Sequence, residues 1–262
     1  MLAGILPPNA KPETFFSLRA IRGTLWPPRV MDTEIVGEDF LDFKCPYCSA
    51  LNSFPTSAAG LARECVNCLD LLLVPLKDGE PGKKLPLPAE GPRIRLRKFE
   101  AGDWKDLLEF QFEDEDEATG WIHAISTPRS TEMRSPFYLA IATRDAHEVI
   151  GTVGLNFLDA SFNQVELTLT SNTSAALPDV ELEALDATLE FCFQELNLHR
   201  VTSRCPAEDS ERRRLLSELG MRQEAEFVKH TYVAGEWISV VWFAMLEEEY
   251  FKDAPAEPGK PS

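Results

Sequence analysis

One stretch, from Val165 to Phe193, constrains the fold more than any other part of the sequence. It opens with apolar residues that alternate with polar ones, at Val165, Leu167 and Leu169, and this period of two predicts a strand. A short loop follows, and then apolar residues recur at helical spacing, opposite an acidic face, at Leu185, Leu189, Cys192 and Leu196. The stretch therefore predicts a strand that leads through a loop into an amphipathic helix.

The start of this predicted helix carries an unusual number of acidic residues. A helix N-terminus attracts anions, because its first N–H groups are unpaired and the helix dipole is positive there. Here Leu177 restricts the backbone, Pro178 removes a donor, and Asp179, Glu181 and Glu183 bring carboxylates to the positive end. The sequence predicts that this helix supplies its own anion and opposes the binding of phosphate.

Two Cys-x-x-Cys motifs, Cys45 to Cys48 and Cys65 to Cys68, are separated by 16 residues. Four thiolates from two such turns complete a tetrahedral zinc site with no open position, so the ion would be structural. A redox pair or two disulfides could use the same cysteines, but no thioredoxin-like βαβ pattern surrounds either motif. We therefore predict a zinc ribbon over residues 38–78, with Cys45, Cys48, Cys65 and Cys68 as ligands.

Composition divides the rest of the chain. Residues 79–92 are rich in glycine and proline and are predicted to link the ribbon to a second domain, residues 93–250. Residues 1–37 are predicted to be a proline-rich extension, which is disordered or precedes the natural start, and residues 251–262 a disordered tail. The chain is thus expected to contain a small module and one larger domain.

The charge of the chain limits its partners. A net charge of −17 argues against the phosphate attraction on which nucleic-acid binding depends. No apolar run is long enough to span a membrane, and the first residues do not resemble a secretory signal. We expect a cytoplasmic protein that binds neither membranes nor nucleic acids.

Several short motifs in the second domain carry a family resemblance. Together with the strand, loop and helix described above, they are Asn197-Leu198-His199-Arg200-Val201, Leu219-Gly220-Met221 and Gly235-Glu236-Trp237. Residues 92–250 resemble the GNAT superfamily of N-acetyltransferases, and within it the branch that acetylates the N-termini of ribosomal proteins. The resemblance implies an α+β GNAT acyltransferase fold, in which helices flank a mixed, mostly antiparallel sheet.

The resemblance also implies where acetyl-coenzyme A (acetyl-CoA) would bind. In the family, the amides of a glycine-containing loop hold the pyrophosphate, and this loop matches residues 176–181 here. Leu177 and Asp179 stand at its two glycine positions. The cofactor-binding residues implied in this way are Leu167, Thr168, Leu169, Leu177, Asp179 and Val180.

A catalytic base and an amine acceptor are implied as well. Glu166 lies in the strand where many relatives place an acidic residue, and it would take the proton of the reacting amine. Read from the residues alone, Glu166 could equally be a structural or surface residue. The acceptor would be a protein N-terminus or a small molecule, and the acidic residues 113–117 either steer that cation or form a solvated loop.

Three functions remain open at this point. The first is acetyl transfer from acetyl-CoA to a primary amine. The second is a catalytically impaired GNAT domain that acts in protein interaction or sensing, as the altered loop suggests. Asp209 and Arg212 favour it too, because they stand where relatives carry cofactor-binding residues. The third is the use of an acyl donor that lacks the usual pyrophosphate.

Overall fold

A computed structural model describes most of the chain, and its helices include none long and apolar enough to cross a membrane. The predicted extension, residues 1–37, and most of the predicted tail lie outside the described residues. The described ranges are 39–68, 70–126, 137–158, 163–172 and 178–253.

The cysteine-containing segment forms two small sheets. Strands β1 (Phe40–Lys44) and β2 (Leu51–Pro55) pair as an antiparallel hairpin. Strands β3 (Ala62–Glu64), β4 (Leu71–Leu73) and β5 (Lys83–Lys84) form the second sheet. Each Cys-x-x-Cys motif thus lies between two strands, and both turns face a common apolar core that contains Phe43 and Leu72.

The larger domain is built on one eight-stranded sheet in the order β12-β13-β11-β10-β9-β8-β7-β6. All neighbouring strands are antiparallel except β10 and β11, which are parallel. The expected mixed, mostly antiparallel sheet is therefore present. Its strands are β6 (Ala89–Glu90), β7 (Ile94–Arg97), β8 (Phe137–Thr143), β9 (Val149–Phe157), β10 (Gln164–Ser171), β11 (Arg200–Pro206), β12 (Arg222–Val233) and β13 (Glu236–Leu246).

Helices cover both faces of this sheet. The helices are α1 (Trp104–Leu107), α2 (Glu115–Ser126), α3 (Pro178–Glu190), α4 (Ser210–Glu218) and α5 (Glu247–Asp253). Helices α1 and α2 pack on one face through Leu107 and Ile122. Helices α3 and α4 contribute to the main core on the other face, and α3 ends in a π-helical turn, Phe191–Glu195. The predicted stripe of α3 is confirmed, since all four of its residues are buried.

The segment predicted as a linker is structured. It contains β5 and β6, and Leu85 between them is only 6% exposed and belongs to the main core. The physical reason lies in its alternation of apolar residues, because Leu87 and Ala89 pack against the same core. Pro86 and Pro88 therefore separate two short strands, the glycines lie outside these strands, and the segment is not a free spacer.

The close packing of the sheet makes one glycine sensitive to substitution. A Cβ at Gly151 would lie 2.8 Å from the backbone oxygen of Thr170 and 3.0 Å from Cδ1 of Ile141. We expect Gly151→Ala to lower the free energy of unfolding by about 1–3 kcal/mol, as overpacking does elsewhere. Denaturant unfolding followed by circular dichroism would measure it.

Gly102→Ala is the matched control, because a Cβ there would have nothing within 4 Å. Both substitutions reduce the freedom of the unfolded chain alike, so their difference reports the steric contact alone. Equal stability of the two variants would contradict the tight approach of β9 to β10.

Candidate functional site

The two parallel strands separate part-way along their length. β10 pairs with β11 only from Gln164 to Leu167, opposite Arg200 to Ser203. β10 continues to pair with β9 as far as Ser171, and β11 continues to pair with β13 as far as Pro206. A wedge-shaped opening therefore lies between the ends of β10 and β11.

Backbone direction decides which groups face this opening. The hydroxyls of Thr202 and Ser203 donate to the carbonyl oxygens of Val165 and Leu167, at 3.2 and 3.0 Å. Backbone polar groups alternate between the two sides of a strand, so odd-numbered residues of β10 direct theirs toward β11. The next odd residue is Leu169, which lies beyond the last β10–β11 pair. Its amide therefore faces the opening, whereas the amide of Thr168 faces β9.

Glu166 lies beside the opening, on the face of the sheet away from α3. It is 6% exposed, and its Oε1 lies 2.5 Å from Nε of Arg204. This Oε1 has no aligned hydrogen bond within the described residues, so the pair is an ionic contact. Arg204 also lies over the ring of Trp242, at 5.7 Å. The carboxylate thus sits within reach of the opening, with its charge offset by a guanidinium.

An aromatic group that the sequence analysis missed borders the same face. A Cβ at Gly154 would lie 2.6 Å from the hydroxyl of Thr168 and 2.9 Å from the ring of Tyr138, so the glycine lets these side chains approach. The Tyr138 ring meets that of Trp121 at 5.0 Å. A glycine inside a strand was the only sequence signal of this close approach.

The start of α3 is described only in part. Residues 173–177 lie outside the described residues, and Leu177 is among them. Asp179 is exposed in the first turn, and Val180 is partly buried against the main core. The backbone oxygen of Asp179 accepts a hydrogen bond from Arg93, at 2.9 Å.

Glu183 has a structural role. Its carboxylate accepts hydrogen bonds from the backbone N–H groups of Arg93 and Ile94, at 2.7 and 3.1 Å, and from Nε of Arg93, at 2.8 Å. Burial acts to raise the pKa of Glu183, but these bonds outweigh it and the pKa lies below its ordinary value. This carboxylate therefore fastens α3 to the start of β7.

Glu181 is also engaged by neighbouring groups. It accepts a hydrogen bond from the hydroxyl of Ser171 and lies 3.5 Å from the guanidinium of Arg212. In the described part of the chain, no ion pair involves the side chain of Asp179. Of the three carboxylates that the sequence placed at this helix end, Asp179 is the one whose charge is left without a cationic partner.

The arginines of α4 have partners within the chain. Arg212 contacts Glu181, Arg213 donates to the backbone oxygen of Ala207 at 3.1 Å, and Arg214 pairs with Glu218. Asp209 caps the helix by accepting from the Arg212 amide, at 2.9 Å. These contacts explain the charges of α4 without an external anion.

The four cysteines of the two motifs come together. All four Sγ atoms lie within 4.8 Å of one another, and the Cys45–Cys68 and Cys48–Cys65 pairs are each 3.7 Å apart. A tetrahedral zinc ion with bonds of about 2.3 Å would place its sulfurs about 3.8 Å apart, so the arrangement fits this metal. A disulfide needs about 2.05 Å. The cysteines are free thiols, and the spacing favours a metal over the disulfide alternative.

Burial raises the pKa of Cys45 and Cys68, whereas hydrogen bonds to sulfur lower the pKa of Cys48 and, against the effect of burial, that of Cys65. The amides of Tyr47 and Asn67 approach Cys45 and Cys65, each at 3.4 Å, as expected around a metal-binding turn. Hydrogen bonds from the backbone at Ala50 and from the Asn67 side chain lower the pKa of Cys48 to about 6. Such donors stabilise the charged sulfur that binds metal.

Comparison with known proteins finds matches to most of the larger domain. Residues 93–222 match the family described as Acetyltransferase (GNAT) domain. The uncharacterized N-acetyltransferase YnaD of Bacillus subtilis is 25% identical over 170 residues, which are 60% of this chain and 96% of the relative. The four cysteines of the two motifs lie outside the residues that match the family.

Two solved structures share the fold, and their names state different acceptors. One, assigned as a ribosomal-protein-serine acetyltransferase from Vibrio cholerae, is 20% identical with a TM-score of 0.51, covering 62% of this chain and 99% of its own. The other, the spermidine/spermine N-acetyltransferase SpeG from the same organism, is 17% identical with a TM-score of 0.52, covering 62% and 98%. At such identities the likeness concerns the fold alone. Residues 93–222 therefore form a GNAT acetyltransferase domain.

Proposed function

We propose that this chain transfers the acetyl group of acetyl-CoA to a primary amine in the opening between β10 and β11. The observation that carries the proposal is the direction of the Leu169 amide. A hydrogen bond from that amide would polarise the thioester carbonyl and stabilise the oxyanion that forms during attack. Leu167 and Thr168 shape the same strand end, so the acetyl group would lie against residues 167–169.

The reaction requires one proton transfer on the acceptor side. The amine nitrogen bonds to the carbonyl carbon, the carbon–sulfur bond breaks, and coenzyme A leaves as a thiolate. Glu166 is placed to accept the amine proton, directly or through one water.

The acceptor class follows from charge. The first turn of α2 contains Glu115, Asp116 and Glu117, all exposed, and would attract an ammonium group. A protein N-terminus, as in the ribosomal-protein branch, and a small polyamine both meet this requirement. Nucleic acid does not, given the net charge of −17. The six free thiols suit a reducing compartment such as the cytoplasm.

A second candidate is a GNAT domain that no longer binds acetyl-CoA and acts through protein contacts. Asp179 favours it, because this carboxylate without an ionic partner lies in the first turn of α3, where the family holds pyrophosphate. The pairing of Glu181 with Arg212 and the use of Glu183 by β7 reduce this repulsion. These contacts make acetyl transfer the better-supported function.

For the ribbon we propose a structural zinc ion held by Cys45, Cys48, Cys65 and Cys68. The support is the sulfur spacing and the amide hydrogen bonds to sulfur. Four protein ligands leave no open position, so the ion would stabilise the fold and take no part in acetyl transfer.

Calorimetric titration of acetyl-CoA would test the donor. We expect the unmodified chain to bind, and Asp179→Asn to tighten binding by about two- to fivefold, because one carboxylate near the helix dipole is removed. Asp186→Asn, farther along α3, is the matched control and should leave the affinity unchanged. Binding by Asp179→Asn alone would favour the second candidate, and no binding by any of the three would reject acetyl-CoA.

Glu166→Gln would test the proton acceptor. We expect turnover of a primary amine to fall by about 100-fold or more, with the affinity for acetyl-CoA unchanged, because only proton transfer is lost. Release of coenzyme A thiol measures the rate. Glu224→Gln is the matched control, since Glu224 is also paired with an arginine, Arg200. Equal rates for the two variants would remove Glu166 from the mechanism.

Metal analysis would test the ribbon. Native mass spectrometry of the purified chain should find about one zinc ion, and Cys65→Ser should lose it, because the tetrahedron lacks a ligand. Cys192→Ser should keep the ion, since that thiol is buried elsewhere in the main core. Zinc retention by Cys65→Ser would contradict the proposed ligand set.

A further inference from the structure

Strand β4 belongs to two hydrophobic cores at once. Leu72 is fully buried in the ribbon core, among Cys45, Cys65 and Phe43. Leu71, 4% exposed, points the other way into the main core of the acetyltransferase domain, and Leu73 packs against the same core. This three-residue strand therefore contributes buried side chains to the cores of both modules, and each core would lose part of its packing without it.

The cysteine cluster determines where this strand begins. The amide of Cys65 donates to the carbonyl oxygen of Asp70, at 3.0 Å, one residue before β4. The second Cys-x-x-Cys turn ends at Cys68, two residues before Asp70. A metal that fixes the sulfurs of this turn would therefore fix the start of β4 and both of its packed faces.

One lysine of the acetyltransferase domain contacts residues in the first cysteine turn and next to the second. Lys98 follows β7, and its Nζ lies 2.8 Å from a carboxylate oxygen of Asp70 and 4.8 Å from the ring centroid of Tyr47. Tyr47 lies inside the first turn, and its hydroxyl accepts from the Leu85 amide at 3.3 Å. Lys98, just after β7, is thus held by Tyr47 of the first cysteine turn and by Asp70, which follows the second turn.

From Lys98, the backbone and then a series of ring contacts lead to the face of the sheet that carries Glu166. The adjacent Phe99 packs edge-on against Trp121 at 5.1 Å, and Trp121 meets Tyr138 at 5.0 Å. Tyr138 approaches Thr168 across Gly154, beside the opening. The ribbon and the acceptor side of the opening are therefore connected through the backbone of residues 98–99, the ring contacts of Phe99, Trp121 and Tyr138, and the close approach of Tyr138 to Gly154.

We infer that metal occupancy of the four-cysteine cluster controls the acceptor side of the acetyltransferase domain. The inference rests on the proposed zinc site. With the metal in place, β4 and Lys98 are held, and β7 supports the aromatic group on α2. Without it, two short turns lose their cross-link, β4 loosens, and Lys98 loses both partners. The far edge of the sheet, β12 and β13, is separated from β7 by four strands and keeps its structure.

The Lys98–Asp70 pair and the buried leucines of β4 connect the two modules with different strength, and this difference predicts the effect of each variant. The Lys98–Asp70 pair is about 40% exposed on both sides, at 42% and 39%, and such pairs stabilise little by themselves. The buried leucines of β4 carry most of the coupling free energy, and Lys98 positions the end of β7. Loss of Lys98 should therefore have a smaller and more local effect than loss of metal.

Hydrogen exchange of the full chain, read by mass spectrometry, tests the inference without an activity assay. Removing zinc with a chelator should speed exchange by about tenfold or more in β4 and in residues 94–126. Residues 222–246 should exchange as before. A change confined to residues 39–68, or an equal change over the whole sheet, would overturn the inference.

A second arm keeps the metal bound, in case its loss unfolds the chain. Lys98→Met retains the alkyl chain and removes the ammonium, and should speed exchange in residues 94–126 with zinc still present by native mass spectrometry. Lys105→Met is the matched control, because Lys105 lies on α1 over the Trp104 ring. Identical exchange in the two variants would overturn the link. Absence of zinc from the unmodified chain would overturn both the inference and the zinc site, while acetyl-CoA binding would still report the proposed acetyl transfer.

Discussion

The parallel pairing of β10 with β11 is the constraint on which the rest of the acetyltransferase domain depends. Parallel neighbours need a crossover, and here α3 with its π-helical turn makes it over one face of the sheet. The buried stripe of α3 therefore occupies that face, and Glu166 projects from the other. Because pairing stops at Leu167, the same two strands that hold the sheet together also leave an amide directed into the opening. The register of β10 against β11 therefore determines both the arrangement of the sheet and the position of the candidate site.

Much of this architecture could be predicted from local patterns. Alternation in β10 and the period of α3 identified their buried faces, and Ala234 and Gly235 form the turn of the last hairpin with φ of 49° and 93°. Cysteine spacing identified the cluster because four ligands in two short turns have few other uses. What periodicity cannot supply is the partner of a side chain. Glu183 meets Arg93, 90 residues earlier, and Glu166 meets Arg204.

This limit changes how the acidic start of α3 is understood. In sequence, three carboxylates at a helix N-terminus look like one repulsive cluster. In the fold, one of them binds the backbone at the start of β7, a second is shared by a serine and an arginine, and the exposed Asp179 has no ion pair among the described residues. The effect of a charge on a phosphate depends on where its side chain points and on what already neutralises it, so the count of acidic residues overstates the repulsion that a phosphate would meet at this helix end.

The packing of the ribbon likewise depends on contacts between residues that are distant in sequence. The family match covers residues 93–222, so the cysteine segment lies outside it. Yet Leu71 and Leu85 are buried in the core of the acetyltransferase domain, at 4% and 6% exposure. An added module that merely tethered a partner would need no share of the core. Because this module supplies buried side chains to the core of the acetyltransferase domain, metal occupancy of its cysteines would affect that domain as a whole.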